Sequence, residues 1–252
     1  MKSLIPSLLL LVLYGQALAK TKDIHISAAY LPENVEQNGT TGREVLIIKA
    51  VTSCMGMSTT IEVNPYFRHL KLFTQNNRFD AVISVPASYQ LEETKTVAHV
   101  YYHNGAIVRA NDSKSITKKE DLRGKHVVAF KGAKNLLLGL KELIPTMASY
   151  METTEQFNHN KMLMKKRIDV VLSDGLIFMA HHKRLFPDQL DSVIFKPLFK
   201  AIPFHVAFRD SRLTTKFNEC FKKLQNKGTI REINKRFINH YKTTLGNSYL
   251  GL

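Results

Sequence analysis

Four groups of side chains in this sequence have types and spacings suited to chemistry: a pair of acids, histidines four apart, two cysteines, and an aspartate behind an apolar run. Glu92 and Glu93 stand together near the end of the segment Ser84 to Lys95. A carboxylate whose pKa is raised by desolvation can act as a general base, so these two are the candidates for proton abstraction. His99 and His103 have a spacing that would suit a metal on a helix. Val100-Tyr101-Tyr102 between them reads as a strand, where four residues span about 13 Å, and this argues against a shared metal. His181-His182 falls on an expected helix with no matching partner and reads as surface. Asp174 follows the apolar run Ile168 to Leu172. It fits a contact at the edge of a cleft, or the N-cap of a helix over 175–182. No Ser-His-Asp order, phosphate-binding glycine loop or zinc spacing is present, so the reading is of no enzyme, no cofactor and no metal. Cys54 and Cys220 could form a bridge in an oxidising compartment or remain two buried thiols. Sequence does not show whether their Cα atoms come within reach.

The compartment is indicated at the start of the chain. Lys2 precedes an apolar run from Leu4 to Leu13, broken at Pro6-Ser7, and Ala17-Leu18-Ala19 offers a small-x-small cleavage pattern. The apolar core is about ten residues, too short to span a bilayer. Residues 1–19 are therefore expected to be a cleaved signal, with Lys20 as the mature start and the periplasm as the destination. No later stretch has the length of a membrane span, and the mature chain is expected to be monomeric and free of stable membrane insertion. The formal net charge falls from +15 to +14 when Lys2, the only charge before Lys20, is removed. Such a balance draws anionic partners, or it is only a solvated basic surface. Nucleic acid is disfavoured by the export signal and by the scatter of Lys and Arg along the chain.

Strands and helices must alternate to position these residues. Ile24 to Ala28, Thr59 to Val63 and Phe79 to Ser84 read as strands, with helices over Val45 to Met55 and Phe67 to Thr74 between them. The pattern repeats. Ala106 to Val108, His126 to Phe130 and Ile168 to Leu172 read as strands. Asn135 to Leu143 and Gly175 to His182 read as helices, and Thr117 to Glu120 fits a capping box. Val206 to Arg209 is a strand. Helices over 213–225 and 230–241 close the chain, with residues 242–252 expected to fray. Such alternation implies mainly parallel sheets covered on both faces.

Four segments in order carry a resemblance. They are Thr60 to Tyr66 with Arg78-Phe79-Asp80-Ala81; Asp121-Leu122-Arg123-Gly124-Lys125 through Gly132; Lys166 to Asp174; and Phe217 to Tyr241 with Gly228. Over residues 24–241 the chain resembles the bacterial extracellular solute-binding proteins of family 3, the amino-acid-type receptors of ABC importers. The resemblance implies an α/β, two-lobed periplasmic-binding-protein-like (type II) fold with two hinge crossings. Lobe 1 would hold residues 20–104 and 200–252, and lobe 2 residues 105–199. A small-molecule ligand would sit between the lobes, with an ABC importer component as a further partner.

The resemblance also implies site residues. Tyr30 and Tyr66 match aromatic positions that line the cleft. Ser84, Ser88, Glu92 and Glu93 belong to the loop that in amino-acid binders ends with an Arg, whose fork grips the ligand carboxylate. Here Glu92 or Glu93 takes that place, and Lys95 is the nearest cation. In lobe 2 the family commonly has Thr or Ser after the Lys131-Gly132 position; Ala133 and Lys134 stand there, with a helix dipole and Lys134 still favouring an anion. Asp174 matches the position that pairs with an α-amino group. The missing Arg puts classical α-amino-acid binding in doubt and gives weight to a cationic or polyhydroxylated ligand.

Overall fold

The computed structural model describes residues 22–246 and Tyr249. The expected signal segment, residues 1–19, lies outside the described residues. The chain opens with β1 (Lys22–Ala29), α1 (Arg43–Cys54), β2 (Met57–Asn64), α2 (Arg68–Gln75), β3 (Ala81–Pro86) and β4 (Val100–Tyr102). It continues through β5 (Asn104–Arg109), β6 (His126–Phe130), α3 (Ala133–Leu136), α4 (Leu140–Leu143), β7 (Ser149–Thr153), α5 (Gln156–Met164), β8 (Val170–Asp174), α6 (Gly175–Leu185) and β9 (Val193–Lys196). It ends with β10 (Ile202–Phe208), α7 (Ser211–Asn226), α8 (Thr229–Ile238) and α9 (Lys242–Leu245).

These strands form two sheets, ordered β2-β1-β3-β10-β4 and β7-β6-β8-β5-β9. The two correspond position for position: a parallel trio followed by two antiparallel strands. The weak internal echo in the sequence is therefore a structural repeat, and the expected two-lobed α/β fold with two crossings is present. The chain leaves the first sheet between β4 and β5 and returns between β9 and β10. The sheets are less parallel than simple alternation implies. The four antiparallel strands are those that arrive from, or leave for, the other lobe.

Burial explains why some strands were easy to read. β3 and β8 are buried at every residue. A strand covered on both faces is a continuous apolar run. α1 lays Val45, Ile48 and Val51 against the first sheet, and α7 adds Phe217 and Phe221 to the same core. Each such side chain, fully buried, contributes about 1.5–3 kcal/mol. Cys54 at the end of α1 and Cys220 on α7 are joined in a disulfide with Cα atoms 5.8 Å apart, which decides between the two alternatives.

Several local expectations need correction. The helix expected over 135–143 is two single turns, because Gly139 between them adopts φ 83°. The cap near Thr117 uses Asp121, whose carboxylate accepts from the Thr117 and Lys118 amides and the Thr117 hydroxyl; Glu120 is not the capping acid. His181 and His182 are buried rather than on the surface. The His182 ring is held against Asn160 and the Gln189 carbonyl, a pocket made by α5 and the turn after α6. Tyr241, at the end of the expected closing helix, and Leu245 and Tyr249, from the stretch 242–252 expected to fray, are grouped above with lobe 1 but lie in the core of the second sheet. Their approach explains Gly175: a Cβ there would lie 2.7 Å from Leu245.

Candidate ligand-binding site

The parallel strands of both sheets deliver their carboxyl ends to one crevice, the place where open α/β sheets bind ligands. A cavity of about 530 Å³ lies there. From the first sheet, Tyr30 follows β1, and Asn64, Pro65, Tyr66 and Phe67 end or follow β2. From the second, Phe130 ends β6, Thr153 ends β7, and Asp174 ends β8. The crossing strands add Tyr102, Asn104 and Phe204, and α5 and α6 add Gln156, Phe157, Ile177 and His181. The wall interleaves aromatic rings with polar side chains.

Of the eight residues expected at the site, Tyr30, Tyr66 and Asp174 line this cavity. The Tyr66 ring stands edge-on to Phe67, with centroids 4.5 Å apart. Burial, and then the Glu44 charge, raise the Tyr66 pKa, so its hydroxyl stays protonated. Asp174 is 3% exposed. Its Oδ1 accepts from the Leu176 and Ile177 amides at 3.0 and 3.1 Å, capping α6. Its Oδ2 accepts from the His103 amide at 2.8 Å and the Tyr249 hydroxyl at 3.2 Å. Asp174 thus both lines the cavity and caps α6, and its carboxylate is engaged by four protein donors.

The other five are not among the residues lining the cavity. Ser84 is buried with φ 57°, and its amide and hydroxyl both donate to Glu44 at 2.9 Å. Glu44 also accepts from the Tyr102 hydroxyl at 2.8 Å and lies 2.8 Å from His99 Nε2. Burial raises the Glu44 pKa, but His99, Tyr102 and Ser84 outweigh it and hold the carboxyl below its ordinary value. Ser88 and Glu92 are exposed on the following loop, Glu93 pairs with Arg209 at 3.1 Å, and Lys95 is tied to the Ala87 and Tyr89 carbonyls. Neither acid expected at the anchor position lines the cavity: Glu92 is exposed and Arg209 holds Glu93. Lys134 is exposed on α3.

The anion-binding turn before α3 has an occupant from within the chain. Glu152 on β7 accepts from the Gly132 amide at 2.8 Å, the Lys134 amide at 2.7 Å and the Tyr150 hydroxyl at 2.7 Å. Partial burial raises its pKa, and these donors, led by the Lys134 amide, more than offset that. The sequence reading missed Glu152, the short strand carrying it and α5 behind it. The run Ser149 to Thr153 is half polar and only partly buried, so its period is weak.

Contacts between the two halves bridge the crevice. The Phe67 ring packs against Gly132, where an added Cβ would lie 3.3 Å from the ring, and Gly132 adopts φ 91°. At the other side Arg184 on α6 donates to the Tyr30 hydroxyl at 2.9 Å and to Glu36 at 3.0 Å.

This geometry defines a class: a two-lobed, type II periplasmic-binding fold with an aromatic crevice between its sheets. The chain belongs to the bacterial extracellular solute-binding proteins, family 3, which it matches over residues 23–240. No curated protein matches it in sequence. Among solved structures, the GluR0 ligand-binding core in complex with L-glutamate is similar with a TM-score of 0.71 at 15% identity, covering 86% of this chain and 99% of that one. A histidine kinase sensor domain with similarity to periplasmic binding proteins gives 0.67 at 16% identity, covering 86% and 96%. A substrate-binding protein of an ABC uptake transporter from Streptococcus pneumoniae, with bound histidine, gives 0.66 at 17% identity, covering 86% and 92%. These likenesses establish the fold. Among the described residues, no helix is long and apolar enough to cross a membrane.

Proposed function

We propose that this protein captures a small molecule bearing polar groups in the cleft between its lobes, performs no chemistry on it, and presents it to an ABC importer after export to the periplasm. The observation that carries the reading is the crevice at the strand ends, walled by Tyr30 and Tyr66 on one side and Phe130 and Asp174 on the other. Closure of two such halves excludes water and strengthens each polar contact inside. The absence of turnover is supported by the acids: Glu92 is exposed, Glu93 is paired with Arg209, and Asp174 already accepts four hydrogen bonds, so none is poised as a base. The similar GluR0 core and histidine kinase sensor domain favour a second reading, a sensory binding protein that reports to a separate membrane partner.

A thermal-shift screen of amino acids, polyamines, sugars and organic acids tests capture. A ligand that binds only the folded state raises Tm with concentration. The proposal expects such a rise with the compound recovered unchanged. A compound consumed catalytically, or no response across the whole screen, contradicts it. Membrane vesicles carrying a candidate importer then separate the two readings: stimulated uptake supports transport, and its absence favours sensing.

A further inference from the structure

The chemistry of the cavity wall narrows the ligand. Three charged side chains line it: Lys131, Glu155 and Asp174. Lys131 and Glu155 are exposed at the rim, where water screens them and an ion pair adds little. Asp174 is enclosed and its oxygens are taken by four donors. The amides of Gly132 and Lys134, which could hold an anion, are filled by Glu152. An incoming carboxylate would have to displace that carboxylate and then face it. An incoming ammonium would find no acceptor pair left on Asp174. Both ends of a zwitterion are therefore poorly served.

Two neutral lining groups, Asn104 and His181, are by contrast without side-chain partners among the described residues. Asn104 is 3% exposed and lines the cavity, and its side-chain amide makes no hydrogen bond to any other described residue. His181 is 7% exposed and lines the cavity from α6. Its ring makes no hydrogen bond to any other described residue; Nδ1 is fully enclosed, and Nε2 is the nitrogen not closed off in this way. Burial, with Arg184 adding to it, lowers the His181 pKa to about 4, so the ring is uncharged at neutral pH. A polar group in a cavity wall without a protein partner favours a ligand that pairs with it. A ligand that pairs with Asn104 and His181 Nε2 satisfies groups left open by the protein, while the Tyr66, Phe67, Phe130 and Phe157 rings accept an apolar body.

We propose that the cleft selects an uncharged ligand, with an aromatic or aliphatic body and an amide-like head that pairs with Asn104 and His181, and that it discriminates against free α-amino acids. This rests on the reading of the crevice as a solute site. The test uses four probes that share one body and differ in charge: phenylalanine, phenylalanine amide, N-acetylphenylalanine and N-acetylphenylalanine amide. Thermal shift and calorimetry on the mature protein are expected to show binding of the doubly blocked, neutral probe. The zwitterionic, cationic and anionic probes should each bind at least tenfold more weakly. Asn104→Ala should weaken the neutral probe at least tenfold; if that variant does not fold, His181→Phe keeps the ring and should give the same loss. Equal or tighter binding of phenylalanine overturns the inference while leaving solute capture intact. Silence from all four probes overturns it too, and the broader screen above then decides solute capture separately. Unchanged affinity in both variants likewise refutes the assigned contacts.

Discussion

Replacing Glu44 by Ala tests the organisation beneath the cleft. This carboxylate is completely buried and gathers Ser84 through two hydrogen bonds, Tyr102 through one and His99 through one. It thereby ties β3, β4 and the chain entering β4 to α1, and Tyr102 is itself part of the cavity wall. Removing one side of a buried, hydrogen-bonded ionic cluster costs about 3–5 kcal/mol, because the stranded donors cannot reach water. At about 2–4 °C per kcal/mol for a chain of this size, Tm should fall by about 6–20 °C. Glu44→Gln keeps the shape but turns a donor toward donors, and should fall between. The pH dependence follows from the sign of the shift. The folded-state pKa of Glu44 is depressed, so its stabilising contribution is complete above the ordinary value of 4.5 and is lost as pH falls through the folded value. The gap in Tm between wild type and Glu44→Ala should therefore be widest near neutral pH and close in acid. Differential scanning fluorimetry from pH 3 to 8 measures both effects. A fall of less than about 2 °C at pH 7, or a gap that widens in acid, would refute the argument.

Other expectations can be checked alongside. Reducing the Cys54–Cys220 disulfide, which links positions 166 apart, should cost about 2–5 kcal/mol and lower Tm in proportion, seen by unfolding with and without a reductant. Gly132→Ala should cost about 1–2 kcal/mol because an L-residue is strained at φ 91°, and should also weaken ligand binding by pushing Phe67 away. Arg184→Ala removes the contacts to Tyr30 and Glu36 on the exposed face of the crevice; Tm should change little, while scattering in solution should show a wider inter-lobe opening and calorimetry a weaker-binding ligand.

Fold and site were legible to different depths, for physical reasons. β3 and β8, covered on both faces, announced themselves as unbroken apolar runs, and the order of four segments placed them in a known architecture. The resemblance placed Tyr30 and Tyr66, and the buried strand before it placed Asp174, and all three line the crevice because each follows or ends a parallel strand at the same end of its sheet. The loop from Ser84 to Lys95 could not be placed in this way. Its orientation depends on Arg209 and on Glu44, partners more than a hundred and about forty residues distant, which no local pattern encodes. Glu152 filling the turn at Gly132 is equally non-local, a match between two strands that pair only in the sheet. The burial of His181 and His182 was hidden because α5, which covers them, has little amphipathic period, with Phe157, His159, Asn160 and Leu163 in irregular alternation with polar residues.

The central claim is that ligand and crevice are one site, and a calorimetric titration of the first compound to raise Tm tests it most directly. The comparison needs three proteins: wild type, Thr154→Trp, which fills the cavity from an exposed position on its wall, and Glu92→Ala, on the exposed loop outside it. The account predicts one site per chain in wild type and Glu92→Ala with equal affinity, and loss of binding in Thr154→Trp. Undiminished binding by a correctly folded Thr154→Trp would contradict it.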